Sequence, residues 1–202
     1  SNNYVASSPA PVTASDGAAA PTLSTVTLPR LDSVVGPLVL NFPNVTAYAS
    51  VNAVLDYAGT RGDVFVVIDT VVGASVSTAL STVAGYTSSS KKYGAAYYPA
   101  ITIADPGSRT GGTVDIAPGG SVCAVYVSTD TKRGAYKAPA GTATRLADAV
   151  SVVGLSNSEY DTISAADTPI NVIRYIPGTG ICVMGARTLS STYADKYVPV
   201  RR

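Results

Sequence analysis

The stretch Asp63-Val64-Phe65-Val66-Val67-Ile68-Asp69 is the most informative part of the sequence for the fold. It places an uninterrupted apolar run, 64–68, between two aspartates. Such a run is typical of a strand that is covered on both faces, as the strands of a parallel sheet are. We therefore predict a strand here, in a sheet that carries helices on both sides.

Apolar residues recur with helical spacing on both sides of this strand. A stripe over residues 51–58 follows Ser50 and precedes Gly59, which predicts a helix capped by Ser50 and closed by Gly59. A second helical stripe covers residues 76–84, and a second strand is predicted over residues 97–104, YYPAITIA. Helices and strands in alternation predict an α/β fold with a mostly parallel sheet.

The second half of the chain adds two predicted helices. Over residues 121–134 periodicity alone does not separate a strand from a buried helix. Gly119-Gly120 before this segment and Lys132-Arg133 near its end favour a helix. Ser156 and Glu159 have the spacing of a capping box, which predicts the start of a short helix.

Three further strands are predicted at the end of the chain. Residues 170–174 and 181–185 form two of them, joined by the turn sequence IPGTG, and residues 197–200 are a third candidate. We expect the apolar residues of the predicted strands to be buried together in one mostly parallel sheet. These residues include Val66, Ile68, Ile101, Ile103, Val172, Ile173 and Val183.

Length and composition predict one domain preceded by an arm. A chain of 202 residues is of ordinary single-domain size. Residues 1–35 are rich in Ser, Ala, Pro and Thr, which predicts a flexible arm, a linker or the stub of a preceding domain. Order is expected to begin near Pro37, so that residues 36–202 form the α/β core. Only 13% of the residues are charged, which favours a subunit that packs against others.

Missing residue types exclude several kinds of site. The chain has no histidine, which excludes Ser-His-Asp and Cys-His catalysis and histidine-based zinc sites. Cys123 and Cys182 are far apart in the sequence and predict neither a disulfide scaffold nor a structural zinc site. We expect both cysteines to be small core residues, and we expect no metal or cofactor.

The sequence predicts neither membrane insertion nor nucleic-acid binding. Asp69 ends the best apolar run well short of the ~20 residues that span a bilayer. The net charge is +1, and the basic pairs Lys91-Lys92, Lys132-Arg133 and Arg201-Arg202 are isolated, as solvated or inter-subunit charges are. No charged segment followed by an apolar one opens the chain, so no signal peptide is expected.

Three short motifs have ordinary structural explanations. Gly178, Gly180 and Gly185 resemble a phosphate-binding glycine loop, but they lead into a predicted strand rather than a helix, which favours a hairpin turn. The tripeptide Arg61-Gly62-Asp63 lies where a helix must turn into a strand. Asn44 begins a glycosylation sequon that has meaning only in a secreted chain.

Asp69 and Ser121 form the candidate catalytic pair. Asp69 ends a buried strand and Ser121 lies at a glycine-rich helix start, as the Asp and Ser of subtilisin-like proteases do. Without histidine, no general base of the usual kind takes the serine proton. We therefore predict that the chain is not an enzyme and has no catalytic, cofactor or metal residues.

Several blocks of the second half match one family in order and spacing. They are YPAITIADP at 98–106, PGGSVCAVY at 118–126, DTKRGAYKAPA at 130–140, INVIR through GI to GARTLSS over 170–191, and YVPVRR at 197–202. With these blocks the sequence resembles the tail sheath proteins of contractile-tailed bacteriophages and related contractile injection systems. The resemblance covers residues 36–202 and is weaker before residue 93.

The resemblance implies a subtilisin-like α/β core without protease activity. It also implies a structural role, in which subunits stack in helical rings around an inner tube and contract to drive the tube through the host envelope. The implied partners are other copies of the sheath subunit, the tail tube protein, the baseplate and the tail terminator. The implied location is the virion tail, assembled in the host bacterial cytoplasm.

Family chains are longer than this one, which implies a fragment or a processed core. In the family a further C-terminal domain follows the 197–202 block, and terminal arms add strands to neighbouring subunits. We therefore expect the isolated chain to be folded and mainly monomeric at micromolar concentration. Two alternatives from other classes are a subtilisin-like hydrolase using Ser121 and a secreted binding module.

Overall fold

The computed structural model of the chain describes residues 28–165 and 170–198, and a curled five-stranded sheet lies at its centre. Its strands, in spatial order, are β1 (Leu38–Asn41), β2 (Val64–Asp69), β3 (Gly94–Tyr98), β7 (Asn171–Ile176) and β8 (Gly180–Val183). The first four run parallel and β8 is antiparallel to β7. The prediction of an α/β fold with a mostly parallel sheet is confirmed.

Helices cover both faces of this sheet. One face packs against α1 (Tyr48–Arg61), α2 (Val76–Ala84) and α4 (Asn157–Ala165), and the other packs against α3 (Gly119–Arg133). Successive side chains of a strand point to opposite faces, so β2 contributes to both cores and all its residues are buried. The predicted strand at 63–69 and its double coverage are confirmed.

The two helix ends predicted around α1 are wrong, although its apolar stripe is correct. The helix begins at Tyr48, which leaves Ser50 as a buried residue of its first turn rather than the cap. It continues past Gly59 to Gly62, which has a φ of 81° and ends the helix in the left-handed conformation. A Cβ atom on Gly59 would lie 2.1 Å from the Ser90 hydroxyl oxygen, so close approach explains this glycine.

The single strand predicted over residues 97–104 is two strands in two sheets. The chain leaves the central sheet after β3, at Pro99, which has no amide hydrogen for a ladder. It then forms β4 (Ile101–Ala104), which pairs antiparallel with β5 (Thr113–Ile116) and β6 (Ala149–Val152) in a small three-stranded sheet. Ile101 and Ile103 therefore lie outside the central sheet, which corrects the prediction of one common sheet.

The two predicted helices of the second half and the predicted hairpin are confirmed. Residues 119–133 form a helix, and Ser156 and Glu159 form the capping box, with the Ser156 amide donating to the Glu159 carboxylate at 2.9 Å. β7 and β8 form a hairpin in which Gly178 and Gly180 have φ values of 79° and 108°. The glycine-loop motif is therefore a hairpin turn.

The chain ahead of β1 packs against the core. Residues 28–33 form a short 3-10 helix with Leu28 buried in the core, ahead of Pro37, where order was expected to begin. Most of the predicted arm, residues 1–27, lies outside the described residues, as does the end of the candidate strand at 197–200. Tyr197 itself forms only an isolated bridge with Arg187.

The two edges of the central sheet differ. The outer edge of β8 is covered, because the Gly141 amide donates to the Val183 carbonyl and the Leu146 amide donates to the Ile181 carbonyl, each at 2.8 Å. β1 pairs only with β2 among the described strands. None of the helices in residues 28–165 and 170–198 is long and apolar enough to cross a membrane.

Candidate functional site

Asp69 lies at the carboxyl end of β2 and joins three elements. Its side chain, in a residue only 1% exposed, accepts a hydrogen bond from the Gly119 amide at 2.7 Å, at the first turn of α3. Its second oxygen accepts from the Asn41 amide group at 3.0 Å, at the end of β1. The carboxylate therefore binds the start of α3 to the ends of two strands.

Burial dominates the electrostatics of this carboxyl group. Desolvation raises the pKa of Asp69 above the ordinary value, although the hydrogen bonds from Asn41 and Gly119 act in the opposite direction. Gly119 is required here, since a Cβ atom on it would lie 2.0 Å from the Asn41 side-chain nitrogen and 2.6 Å from the Asp69 oxygen. The hydrogen bonds to Asn41 and Gly119 give the buried aspartate a structural role.

Ser121 is not joined to Asp69. Its hydroxyl donates a short hydrogen bond to the carboxylate of Asp148, which lies in the segment before β6. A carboxylate is a weak base toward an alcohol, and the chain contains no histidine. The two residues considered as a candidate catalytic pair therefore belong to two separate hydrogen-bonded arrangements.

A second buried polar joint links β7 to the segment after β8. The Asn171 side chain donates to the carbonyls of Ala96 at 3.2 Å and Arg187 at 2.8 Å, and it accepts from the Arg187 amide at 2.8 Å. A Cβ atom on Gly185 would lie 2.5 Å from the Asn171 side-chain oxygen, so this glycine allows close packing. The predicted strand ends earlier, at Val183.

The tripeptide Arg61-Gly62-Asp63 is a turn fixed by its own side chains. The Arg61 guanidinium forms an ion pair with Asp63 at 2.8 Å and donates to the Leu31 carbonyl at 2.7 Å. It also donates to the carbonyls of Val34 and Gly36. The arginine is thus occupied within the chain, as the turn interpretation requires.

Neither cysteine has the surroundings of a reactive thiol. Cys182 is fully buried, and burial raises the pKa of the Cys123 thiol to about 11. A raised pKa disfavours the nucleophilic thiolate. Within the described part of the chain, no cluster of three metal-ligating side chains is found.

Three residues of these joints and contacts were missed by sequence reasoning. Asn41 follows the apolar run of β1 as Asp69 follows that of β2, and this shared position was a usable signal. Asn171 and Asp148 have no such signal, because their partners become neighbours only through the tertiary fold.

A groove runs along α3 on the described surface. It lies between α3 and residues 143–148, has a volume of about 520 Å³ and contains Ser121 and Asp148 at one end. A second space of about 470 Å³ adjoins it and continues toward Lys132 and Lys137.

Comparison with solved structures shows what the chain is similar to. The chain matches the contracted PVC sheath complex of an extracellular contractile injection system, with a TM-score of 0.68 and 26% identity over 87% of this chain. The chain is thus similar to a sheath protein of such a system. The chain also matches the contracted helical sheath of the anti-feeding prophage, with a TM-score of 0.63 and 26% identity over 87% of this chain.

A third solved structure similar to the sheath-like chain comes from the anti-feeding prophage baseplate, with a TM-score of 0.62 and 27% identity over 86% of this chain. The sheath-like chain spans less than half of each of these proteins, 44–47% of their length. No protein-family model and no curated protein sequence matches it. The neighbours support a structural role of the sheath kind.

Proposed function

We propose that this chain is a structural subunit of a contractile sheath, stacked in helical rings around an inner tube. The observation that carries the proposal is the likeness to contracted sheaths over 87% of the chain. The buried side chains of Asp69 and Asn171 also support it. Their hydrogen bonds hold strands to α3 and to the segment after β8, so both polar residues have a structural role.

In this proposal each subunit moves as a nearly rigid body during contraction. Two cores, one on each face of the central sheet, fix the helices and leave few internal degrees of freedom. The free energy of contraction then comes from the difference between two sets of inter-subunit contacts. Driving the tube through a host envelope is the work that this difference performs.

The proposed partners are other sheath subunits, the tail tube protein, the baseplate and the tail terminator. The proposed location is a phage tail or a related injection particle, assembled in the host bacterial cytoplasm, without nucleic-acid binding or membrane insertion. Residues 36–202 would be the subtilisin-like core and residues 1–35 an arm, linker or stub. Longer relatives would carry a further C-terminal domain.

Immunogold electron microscopy of particles from the source cells tests the proposal. Antibodies raised against the folded chain are expected to decorate the tail shaft at regular intervals. Label confined to one end of the particle would indicate a baseplate component instead. Label on no particle at all would overturn the sheath assignment.

A labelling experiment tests the expectation that the chain is not an enzyme. With no histidine and with its hydroxyl bound to Asp148, Ser121 is expected to resist a fluorophosphonate probe, and peptide and ester substrates are expected to remain intact. Ser121→Ala is the matched control. Stoichiometric labelling that this substitution abolishes would revive the hydrolase alternative.

A further inference from the structure

The segment ahead of β1, residues 28–36, is held to the domain by side chains rather than by the main chain; we call it the strap. In the described part of the chain, no main-chain hydrogen bond joins the strap to another element. The first such bond comes later, where the Leu38 amide donates to the Asp63 carbonyl at 2.9 Å. The strap contributes two side chains to the core, Leu28 and the half-buried Leu31.

One side chain, Arg61, contacts the strap at three places. Its guanidinium donates to the Leu31 carbonyl at 2.7 Å. It also donates to the carbonyls of Val34 and Gly36. The Leu31 carbonyl accepts from the Val34 amide as well, at 3.0 Å. Arg61 therefore fixes the strap from its 3-10 helix to its end.

The strap has the features of a segment that can move as a unit. Its middle, residues 32–35, is exposed, so no other described element has to move first. At its end Gly36 has a φ of 107°, in the left-handed region that favours glycine, and a Cβ atom there would meet nothing within 4 Å. A conformationally free residue in open space is suited to be a hinge.

A simpler role for Arg61 is purely electrostatic. The residue lies in the last turn of α1, where a cation interacts favourably with the helix dipole, and it pairs with Asp63 at 2.8 Å. Neither interaction requires a guanidinium. The contacts to the strap do require one, because the planar fork of arginine has five donors and can reach a carboxylate and three carbonyls together. Lysine at this position therefore separates the two roles.

We propose that the strap docks on and lifts from the end of α1 as one unit, with Gly36 as its hinge, and that Arg61 sets the docked fraction. Opening withdraws Leu28 and Leu31 from the core and leaves the ladders of the central sheet in place. The consequence for an assembly rests on the proposed sheath function. There, the docked strap makes the rigid body of a subunit begin at Leu28, and the open strap makes it begin at Pro37.

Hydrogen–deuterium exchange of the full chain, measured by mass spectrometry, tests the inference. Amides that only a local contact protects exchange at a rate set by local opening. In Arg61→Lys the amides of residues 31–34 are expected to exchange about tenfold faster or more, the scale of one hydrogen bond to a charged group, while those of β2 and β3 keep their rates. Arg187→Lys is the matched control, since Arg187 donates to the Ser164 carbonyl at 2.9 Å and not to the strap.

Trypsin gives a second measurement on the same variants. Arg30 is an exposed residue of the 3-10 helix, and cleavage after it follows the fraction of open strap. Cleavage there is expected to accelerate in Arg61→Lys by the same factor as exchange, and not in Arg187→Lys. Tyr57→Phe removes a hydroxyl that donates to the Asp32 carboxylate of the strap at 2.7 Å, and a smaller acceleration is expected.

Unchanged exchange over residues 31–34 in a folded Arg61→Lys chain would overturn the inference and leave Arg61 its electrostatic role. Equal acceleration in β2 and β3 would overturn it too, because the strap would then not open separately. If Arg61→Lys does not fold, unchanged exchange in Tyr57→Phe has the same force. Any of these results leaves the sheath assignment untouched, whereas a failure of the gold label would refute that assignment and leave the strap standing.

Discussion

The central sheet and the small sheet β5-β4-β6 differ in how their faces are covered. Every residue of β2 is buried, whereas three of the four residues of β5 are exposed. The small sheet buries one apolar face against the α3 side of the core and keeps a polar face outside, where Thr102 donates to Asp115 at 2.7 Å. Double coverage produces long apolar runs, while single coverage produces weaker, mixed sequences.

The ladders of the two sheets differ as well. β1, β2 and β3 pair in continuous register, but β4 and β6 shift register between Thr102 and Ile103. Thr102 pairs with Ser151 and Ile103 with Ala149, which leaves Val150 as an unpaired bulge residue, 62% exposed. A bulge at an edge discourages further strand pairing. The central sheet is thus the stability core, and the small sheet is an appendage to it.

Truncating one isoleucine in each sheet is expected to give the largest difference in stability between the central sheet and the small sheet. Ile173→Ala in β7 is expected to cost about 2–5 kcal/mol in the free energy of unfolding, because it removes a fully buried side chain and leaves a cavity. Ile103→Ala in β4 removes a half-buried side chain and is expected to cost roughly half as much. Urea denaturation measures both values. A loss below about 1 kcal/mol for Ile173→Ala would show that β7 is not a core strand.

Adjacent glycines at the start of α3 provide a second test. Gly119→Ala drives a Cβ atom into Asn41 and Asp69 and is expected to cost about 1–3 kcal/mol through overpacking. Gly120→Ala meets no atom within 4 Å and is expected to be neutral or stabilising by up to about 1 kcal/mol, since alanine favours a helix. Thermal unfolding of both variants measures the difference. Equal effects would show that the carboxyl edge of the sheet is not tightly packed.

The stability contributions of the buried Asp69 and the exposed Glu159 are expected to change with pH in opposite directions. Burial raises the pKa of Asp69, so its contribution is most favourable at low pH and is lost as the pH rises through the folded-state pKa. Hydrogen bonds from Ser156 lower the pKa of Glu159, so its contribution is present above the ordinary glutamate pKa and is lost as the pH falls through the lowered value.

Two variants measure these opposite slopes. Unfolding free energies of the wild type, Asp69→Asn and Glu159→Gln are compared between about pH 3 and pH 7. Relative to Asp69→Asn, the wild type is expected to lose stability toward neutral pH, whereas relative to Glu159→Gln it is expected to gain. The same slope in both comparisons would contradict the burial of Asp69.

The smallest expected effect comes from one substitution made in both sheets. Val150→Thr changes an exposed bulge residue and is expected to alter the unfolding free energy by less than about 0.5 kcal/mol. Val67→Thr buries a hydroxyl group within β2 and is expected to cost about 1–3 kcal/mol. A large loss for Val150→Thr would mean that the small sheet is covered in the isolated chain.

Prediction from sequence succeeded where periodicity or local chemistry was strong. Local sequence was sufficient in three places: the apolar run at 63–69, the apolar stripe of α1 and the capping box at Ser156. The small sheet was missed, because the exposed β5 and β6 carry no strong pattern and an interruption at Pro99 was treated as part of one strand. At the candidate site, the sequence showed that Asp69 ends a buried strand. Its hydrogen bond from Gly119 could not be predicted, because the two residues become neighbours only through the tertiary fold.

In the proposed sheath, the hydrogen bonds of the Arg61 guanidinium have a mechanical consequence. It holds the carbonyls of Leu31, Val34 and Gly36 from the last turn of α1. Tension applied ahead of Leu28 therefore has two load paths, one along the main chain into the edge strand β1 and one through the side chain into the helix. Because hydrogen bonds to a charged group are strong, the Arg61 contacts carry part of the tension. They transfer it from the edge strand β1 to α1, which packs against the core.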